Sequence, residues 1–412
     1  MKRLLIALLL LYFAFAAMAQ SETKKTLAPT PPMGFLTWNF FADNITEKDV
    51  IKMADALVST GLKDAGYNYI IIDDGWQGGR DSKNNIIPDK EKFPSGMKFL
   101  CDYVHSLGLK IGIYSDAAQL TCAGYTGSLG FEAQDAKTFA EWGFDYLKYD
   151  YCYAPEDWVV AIERYSVMAE AVKNCGRDMV FSICEWGQRE PWLWGKKVGG
   201  NLWRTTGDVR DKWKSKEPPK SIKDETWVGM GILDIVNFNA PLYKYSEIGA
   251  WNDPDMLVVG LYGKKGPSGD LGGIGCNDIE YQSQMSLWCL MAAPLMITCD
   301  ISNMNDATKN ILLNKDIIEI NQDKLGIQAE RVVCNDNIQI FVKELSNNDV
   351  AIGVLNTSEE TINYDLNTKQ LGVDSKNTAF DVWSKKTFKI KKYTIKLNIK
   401  SHETIVLRLS EK

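Results

Sequence analysis

The segment 144–152 carries the residues of this sequence that are best suited to chemistry. Its apolar first half predicts a buried strand, and Lys148, Asp150 and Cys152 gather where that strand would end. At the carboxyl end of a strand in a parallel α/β barrel, a carboxylate such as Asp150 is well placed for catalysis. Side chains two residues apart share one face of a strand, so Lys148 is expected beside Asp150. A lone aspartate at this position could also cap the next helix. The residues at the ends of the other predicted strands distinguish between these two roles.

Polar and aromatic side chains recur at the ends of the other predicted strands. In chain order they are Trp38, Asp73-Asp74-Gly75-Trp76, Tyr114-Ser115-Asp116, Cys184-Glu185-Trp186, Arg204 followed by Gly207-Asp208, and Trp251-Asn252-Asp253-Pro254-Asp255. Helix capping explains a single acid of this kind, but not so many at one end of successive strands. Acids packed this closely repel each other unless a ligand or a cation partners them. Paired carboxylates among acids and tryptophans suit glycoside cleavage, which needs one carboxylate as nucleophile or base and one as acid.

The elements that must position these residues alternate between short apolar runs and amphipathic helical patterns. The predicted strands are Met33–Trp38, Tyr67–Asp73, Lys110–Tyr114, Phe144–Asp150, Met179–Cys184, Asn201–Arg204, Met256–Val259 and Pro294–Thr298. The predicted helices between them include Glu47–Ser59, Met97–Leu107, Phe131–Trp142, Trp158–Asn174 and Glu280–Met291. This succession predicts a (β/α)8 TIM barrel. A doubly wound open sheet would offer a glycine-rich phosphate loop after its first strand, and the sequence has none there.

The character of the chain changes after about residue 321. The predicted strands of this part are Ile338–Val342, Val350–Leu355, Ala379–Val382, Tyr393–Ile399 and Glu403–Leu409. They are short, alternating and separated by turn residues, which predicts a small antiparallel β-sandwich. We therefore expect a signal peptide at residues 1–20, a catalytic barrel at 21–325 and a C-terminal antiparallel β domain at 326–412.

The composition excludes several classes of function. The chain of 412 residues has a net charge of −6 and no basic cluster, so nucleic acid is not expected as a partner. Its two histidines, His105 and His402, lack partner motifs, which argues against a Ser-His-Asp triad and a histidine-rich zinc site. We expect neither a metal nor a cofactor, and the chemistry then rests on carboxylates, lysine, cysteine or tyrosine.

The first twenty residues are typical of a secretory signal peptide. Met1-Lys2-Arg3 precedes an apolar run, and Ala17-Met18-Ala19 forms a small-x-small cleavage site before Gln20. We expect export to the periplasm or the extracellular space, and no membrane attachment after cleavage. Disulfides are permitted there, and nine cysteines leave at least one without an intramolecular partner. The oligomeric state is not predicted.

The chain resembles the α-galactosidases of glycoside hydrolase family 27, the melibiase family. The similar segments are Thr30-Pro31-Pro32-Met33-Gly34, Ile72-Asp73-Asp74-Gly75-Trp76, Phe93-Pro94-Ser95-Gly96-Met97, Leu147-Lys148-Tyr149-Asp150, Cys184-Glu185-Trp186-Gly187, Trp203-Arg204-Thr205-Thr206-Gly207-Asp208 and Asp253-Pro254-Asp255-Met256. They follow the family order across most of residues 30–330. Asn321-Gln322-Asp323-Lys324-Leu325-Gly326 resembles the family segment at the end of the barrel. The resemblance implies an exo-acting α-galactosidase with an α-galactoside substrate.

The resemblance also implies roles for individual residues. It assigns the nucleophile to Asp150 and the acid/base to Asp208. It implies that Asp73 and Asp74 bind the C4 and C6 hydroxyls, that Lys148 binds the sugar beside the nucleophile, and that Glu185 and Arg204 lie near the C2 hydroxyl. The remaining substrate-binding positions that it implies are Trp38, Tyr114, Cys184, Trp186 and Asp255. It also implies a disulfide between Cys122 and Cys152.

The chemistry of the two acids adds further expectations. Lys148 should favour the ionised form of Asp150, whereas Arg204 should avoid Asp208 and point at the sugar and Glu185, because its charge would oppose a protonated Asp208. A nucleophilic carboxylate predicts retention, with carboxyl groups roughly 5–5.5 Å apart. Alternatives are an α-N-acetylgalactosaminidase or β-L-arabinopyranosidase of the same family, a catalytically silent sugar-binding protein, and a Schiff-base aldolase using Lys148.

Overall fold

The computed structural model describes residues 26–216, 229–263, 273–373 and 375–411. The predicted signal peptide, residues 1–20, therefore lies outside the described residues. Within the described ranges, no helix combines the length and the apolar character that crossing a bilayer requires.

Eight parallel strands form one curled sheet, in which neighbouring strands follow the order of the chain. They are Met33–Leu36 (β1), Tyr69–Ile71 (β2), Lys110–Asp116 (β3), Tyr146–Asp150 (β4), Val180–Ile183 (β5), Leu202–Arg204 (β6), Trp251–Asp253 (β7) and Leu295–Ile297 (β8). The last strand, β8, pairs with β1 and so curls the sheet back on itself. The strands are buried along most of their length, as strands covered on both faces must be. The sheet confirms the predicted (β/α)8 barrel.

The seventh strand lies earlier in the chain than the sequence predicts. The expected strand Met256–Val259 is wrong, because β7 spans Trp251–Asp253 and pairs with β6. The proline after β7 has no N–H to continue a ladder. In the predicted segment Leu257 makes one parallel bridge, to Ile297 of β8, across the gap between β7 and β8. Asp255 consequently lies just beyond the carboxyl end of a strand, on the side where the other polar residues gather.

Helices connect the barrel strands. Their bounds are Trp38–Phe41, Glu47–Ser59, Gly96–Ser106, Glu132–Trp142, Trp158–Asn174, Gly195–Val198, Ile232–Asn239, Asp278–Leu290, Asp306–Leu312 and Lys315–Asn321. Short 3-10 turns occur at Ala42–Asn44, Pro191–Leu193, Ala240–Tyr245 and Ile301–Asn303, and Gln77–Arg80 pairs with Ile86–Pro88 in a hairpin. The helix Glu47–Ser59 shows how local sequence produces these helices. Thr46 and Asp49 form a capping box at its start, and it buries Val50, Met53 and Leu57 at helical spacing.

The C-terminal part consists of antiparallel strands. A six-stranded sheet contains, in spatial order, Glu330–Cys334, Ile338–Glu344, Val350–Asn356, Thr404–Ser410, Thr378–Asp381 and Thr387–Lys389. Ile362–Asn367 pairs with Thr394–Ile399 in a second sheet. Buried side chains of both sheets, among them Ile352, Leu366, Leu397 and Leu407, form one apolar cluster. This arrangement confirms the predicted β-sandwich.

The helix Asp278–Leu290 joins the sandwich to the barrel. Ser283 Oγ in this helix donates to the carbonyl of His402 at 2.6 Å, and Ser286 Oγ accepts from Trp383 Nε1 at 2.9 Å. Both partners lie in the sandwich, so the contact between the two parts contains specific hydrogen bonds as well as apolar packing.

A disulfide joins Cys122 and Cys152, which confirms the implied pairing. Cys122 lies in the loop after β3, and Cys152 follows the end of β4 closely. The bond therefore ties two neighbouring loops at the carboxyl end of the barrel. The backbone N–H of Cys152 also donates to Asp116 Oδ2 at 3.0 Å, which adds a second link between the same loops. Together these links fix the backbone that follows Asp150.

Removing this disulfide is expected to cost about 3–4 kcal/mol of unfolding free energy, because the bond joins positions 30 residues apart. Urea unfolding of Cys122→Ser/Cys152→Ser should show this loss. Cys334→Ser, which changes an exposed free cysteine, is the matched control and should unfold like the parent. Peptide mapping without reductant should recover Cys122 and Cys152 linked, and free thiols at both positions would contradict the assignment.

Candidate active site

A cavity of ≈200 Å³ opens at the carboxyl ends of the barrel strands. Its lining residues are Trp38, Asp73, Asp74, Tyr114, Cys122, Ala123, Lys148, Asp150, Trp186, Arg204, Asp208, Arg210 and Met256. Most of the residues singled out in the sequence therefore meet in one place. Cys184, Glu185 and Asp255 are not part of the cavity wall in the described structure.

The pairing of β3 with β4 aligns four residues at the site. Tyr114 lies opposite Lys148, and Asp116 lies opposite Asp150. Since side chains alternate along a strand, Lys148 and Asp150 point to the same face, as the sequence predicts. The sheet thus sets the spacing of the lysine and the carboxylate through backbone hydrogen bonds, independently of either side chain.

Asp150 is buried and held by two donors. Its Oδ2 accepts from the hydroxyl of Tyr114 at 3.1 Å, and its Oδ1 accepts from the backbone N–H of Tyr151 at 3.1 Å. Burial raises the pKa of Asp150 to about 7, although the charge of Lys148 acts in the opposite direction. The negative charge of Asp208 adds to the rise. Lys148 therefore favours ionisation of Asp150, as expected, but burial has the larger effect.

The direct partner of Lys148 is Asp73. Lys148 Nζ donates to Asp73 Oδ2 at 2.7 Å, and both side chains are almost fully buried. Burial alone would lower the pKa of Lys148, but the negative charge of Asp73 keeps this pKa well above its usual value. The ammonium is therefore a fixed cation at the base of the cavity.

Asp74 lies beside this pair and is held by backbone donors. Its Oδ2 accepts from the N–H of Ala123 at 2.8 Å, and its Oδ1 accepts from the N–H of Gly75 at 2.8 Å. Burial raises its pKa to about 6, and the charge of Asp73 contributes to the rise. The loop that contains Cys122 thus orients Asp74, which explains why the disulfide lies so close to the cavity.

Arg204 contradicts the expectation that it avoids Asp208. Its Nη2 lies 3.1 Å from Asp208 Oδ1, and its Nη1 lies 3.2 Å from Asp255 Oδ1. Desolvation would raise the pKa of Asp208, but the charges of Arg204, Arg210 and Lys148 outweigh it and hold this pKa below its usual value. The expectation failed because it assigned Arg204 to Glu185, whereas Arg204 pairs with both aspartates. These opposite pKa shifts favour the protonated form of Asp150 and the ionised form of Asp208.

Glu185 is paired with Arg189 behind the cavity wall. The backbone N–H of Arg189 donates to Glu185 Oε1 at 3.1 Å and to Glu185 Oε2 at 3.0 Å. The Arg189 side chain donates to Glu185 Oε2 from Nη1 at 3.1 Å. Burial nevertheless raises the pKa of Glu185 to about 8. Cys184 Sγ lies 3.7 Å from Arg204 Nη1, so the thiol contacts a side chain of the cavity wall. The roles of these residues towards a substrate stay predictions.

Two residues at the site, Asp116 and Arg210, have no role implied by the sequence. Asp116 accepts from the N–H groups of Ala118 and Cys152, and burial next to Asp150 raises its pKa well above the usual value. Arg210 lines the cavity two residues after Asp208, on the same extended segment. The alternation of side chains along that segment is a signal that could have identified Arg210.

One cluster of the described chain has the atoms of a metal site. Single ligand atoms of Asp116, Cys122, Asp150 and Cys152 lie within 4.8 Å of one another. The two sulfurs are bonded to each other and supply no thiolate, so this cluster does not fit a resident metal. The remaining chemical resources of the cavity are its carboxylates and cations, which suit a double displacement at a sugar carbon.

The comparisons with known proteins cover almost the whole chain. The family profile described as "Alpha galactosidase A" matches residues 30–323, and the profile described as "Alpha galactosidase C-terminal beta sandwich domain" matches residues 335–409. Alpha-galactosidase A of Cellvibrio japonicus is 41% identical over 424 aligned positions, which cover 99% of this chain and 99% of the relative.

The chain is also similar to solved structures of α-galactosidases. Alpha-galactosidase I from Mortierella vinacea is 34% identical with a TM-score of 0.87, covering 94% of this chain and 99% of that one. The α-galactosidase from Saccharomyces cerevisiae, solved with raffinose, is 30% identical with a TM-score of 0.85, covering 94% and 98%. The chain belongs to glycoside hydrolase family 27, the α-galactosidase or melibiase family, and is a glycoside hydrolase.

Proposed function

We propose that this protein is an exported, retaining exo-α-galactosidase, which releases terminal α-linked D-galactose from oligosaccharides or glycoconjugates. The observation that carries the proposal is that Asp150 and Asp208 line one cavity together with Asp73, Asp74 and Lys148. The family assignment supports the activity. Export rests on the signal-peptide pattern of residues 1–20. We likewise propose that the catalytic barrel ends near residue 325 and that the β domain follows it.

The proposed reaction is a double displacement. An oxygen of Asp150 attacks C1 of the galactosyl group while the bond from C1 to the leaving oxygen breaks, and Asp208 gives its proton to that oxygen. A water molecule then attacks C1 and gives a proton to Asp208, which releases Asp150 as a carboxylate. Two inversions at C1 give net retention. When substrate binds, the one proton of the Asp150–Asp208 pair must move to Asp208. An apolar sugar face that excludes water around Asp208 would raise the pKa of Asp208 and so favour this proton position.

Recognition of galactose is assigned to the base of the cavity. Asp73 and Asp74 would accept from the C4 and C6 hydroxyls, and Lys148 would donate to a neighbouring sugar oxygen. Trp38 and Trp186 would pack against apolar faces of the ring. Hydroxyl donors also relieve the repulsion between neighbouring carboxylates, since a hydrogen bond to the charged form stabilises it.

The size of the cavity supports exo action. Its volume of ≈200 Å³ is below the roughly 300–1,000 Å³ of sites for drug-sized ligands, so we expect a single sugar ring inside and the leaving group outside. The yeast relative was solved with raffinose. Raffinose ends in an α-linked galactose, and we propose this class of oligosaccharide as substrate.

The alternatives are less well supported. An α-N-acetylgalactosaminidase needs space at C2, where the family resemblance assigns the large side chain of Glu185. A β-L-arabinopyranosidase acts on a sugar without the C6 hydroxymethyl group, and the Asp73-Asp74 pair is intact. A silent sugar-binding protein would not need both Asp150 and Asp208. A Schiff-base aldolase needs a neutral amine, whereas the Asp73 ion pair keeps the pKa of Lys148 high.

Replacing Asp150 and replacing Asp208 should impair catalysis in different ways. Asp150→Ala should be inactive on every galactoside, because no nucleophile remains. Asp208→Ala should lose on the order of 10²–10⁴-fold on natural α-galactosides. It should still form the galactosyl-enzyme from dinitrophenyl α-galactoside, whose leaving group needs no proton. With azide, product analysis should then find α-galactosyl azide.

Recovery of β-galactosyl azide from Asp208→Ala would mean that azide displaces the leaving group directly, and the retaining mechanism would be wrong. Asp211→Ala is not a suitable control, because the Asp211 carboxylate accepts from the Tyr281 hydroxyl and lies only three residues after Asp208. Asp306→Ala, in a helix on the outside of the barrel, is a suitable acidic control and should retain the parent kinetics.

The pH dependence follows from one proton shared by Asp150 and Asp208. Catalysis requires that the pair keeps one proton, and burial raises the pKa of Asp150 to about 7. kcat/KM for natural α-galactosides should therefore fall as the pH rises through about 7, where both groups become ionised. Rates of Asp208→Ala on dinitrophenyl α-galactoside should lack this alkaline decline. A constant kcat/KM of the parent up to about pH 9 would contradict the shared proton.

Glu185 is expected to determine specificity at C2. Glu185→Ser should lower α-galactosidase activity and raise α-N-acetylgalactosaminidase activity, which shifts the ratio of the two kcat/KM values by about tenfold or more. Glu185→Gln keeps the volume and should weaken galactoside hydrolysis without admitting the acetamide. Aryl α-galactoside and aryl α-N-acetylgalactosaminide measure both activities. An unchanged ratio of the two kcat/KM values in Glu185→Ser would show that Glu185 does not determine specificity at C2.

A further inference from the structure

Arg210 is a cation of the cavity wall that the proposed reaction leaves unused. The two other cations of the wall have carboxylate partners, Lys148 with Asp73 and Arg204 with Asp208 and Asp255. Among the residues that the structure describes, Arg210 has no carboxylate within salt-bridge distance. A guanidinium has five N–H donors, so this side chain offers charge and hydrogen bonds to a ligand.

The backbone around Arg210 holds its stem in place. A Cβ on Gly229 would lie 2.4 Å from Arg210 Cγ, so the arginine stem packs directly on the glycine backbone. Val209 N donates to Asp255 Oδ2 at 2.8 Å, which anchors the preceding residue. The hydrogen bond of the Arg210 guanidinium within the described chain goes to Val209 O at 3.4 Å and is long. The stem is therefore fixed, and most of the guanidinium donors have no hydrogen-bond partner in the part of the chain that the structure describes.

The charge of Arg210 acts on the end of the cavity that contains Asp208. It contributes, with Arg204 and Lys148, to the lowered pKa of Asp208. When Asp208 carries the proton that it donates to substrate, its carboxyl group is neutral. At that moment Arg210 has no ionised carboxylate within salt-bridge distance among the described residues, and an anionic group on the substrate would be attracted to it.

The proposed roles of the other residues fix which part of the substrate Arg210 meets. Asp73, Asp74 and Lys148 hold the galactosyl ring at the base of the cavity. Asp208 must touch the oxygen that links galactose to the leaving group. Arg210 follows Asp208 by two residues on the same segment, and it is only half-buried. It therefore lies on the side from which the leaving group extends.

We propose that Arg210 forms a binding site for the leaving group and favours α-galactosides in which this group carries a carboxylate close to the bond that is cleaved. Acidic sugars such as hexuronic acids are the chemical class that meets this requirement. The inference rests on the proposed α-galactosidase function and adds to it a preference for the second residue of the substrate.

The test compares two aryl substrates of the full-length enzyme, meta-(carboxymethyl)phenyl and meta-(carbamoylmethyl)phenyl α-D-galactoside. Their leaving groups are similar in size and acidity and differ in charge. The wild-type enzyme should show a higher kcat/KM for the carboxylate. Arg210→Gln should lower the ratio of carboxylate to carboxamide kcat/KM by about tenfold, and Arg210→Lys should retain part of the preference.

Lys212→Gln is the matched control, because it removes a cation two residues further along the chain that is not part of the cavity wall. Its ratio should equal that of the wild type, and melting curves should show that all variants fold. An unchanged ratio in folded Arg210→Gln, or no carboxylate preference in the wild type, would overturn the inference while α-galactoside hydrolysis persists. Absence of α-galactoside hydrolysis in the wild type would refute the proposed function, and the inference with it.

Discussion

The constraint on which the site depends is electrostatic: four carboxylates, Asp73, Asp74, Asp150 and Asp208, line one small cavity. They cannot all be ionised without compensation, because like charges at short range in a poorly solvated space repel strongly. Lys148 and Arg204 supply part of the compensation. Burial, to which neighbouring carboxylate charges add, nevertheless raises the pKa values of Asp74 and Asp150 to about 6 and about 7. Protons or hydroxyl donors would therefore stabilise this group of acids, and a sugar offers hydroxyl donors.

Such an arrangement is stable only if the backbone holds each acid in place. The parallel pairing of β3 with β4 sets Lys148 and Asp150 on one face. The loop after β3 donates its Ala123 N–H to Asp74, and the disulfide ties that loop to the end of β4. Arg204 is fixed by Asp255, which Val209 N anchors in turn. Asp73 and Asp74 follow β2 together, whereas Asp150 and Asp208 come from other parts of the barrel, so the fold brings these three places together.

The sequence predicted the barrel and most of the cavity wall because apolar runs ending in polar residues are local patterns. It misplaced the seventh strand, since the buried residues of Met256–Val259 look like a strand although they form one bridge. It missed the sandwich strands Glu330–Cys334 and Ile362–Asn367, whose alternating exposure leaves little apolar signal. It also predicted the wrong partner for Arg204, because the choice between nearby carboxylates depends on tertiary geometry that no local pattern encodes.

The proposed reaction requires that Asp150 attacks the sugar. The most direct test is to trap the covalent intermediate with an activated 2-deoxy-2-fluoro-α-galactoside, whose fluorine destabilises the oxocarbenium-like transition states and so slows turnover. Peptide mass spectrometry of the inactivated enzyme should find one fluorogalactosyl group on Asp150. A label on Asp208, or hydrolysis by an enzyme that never carries the label, would contradict the account.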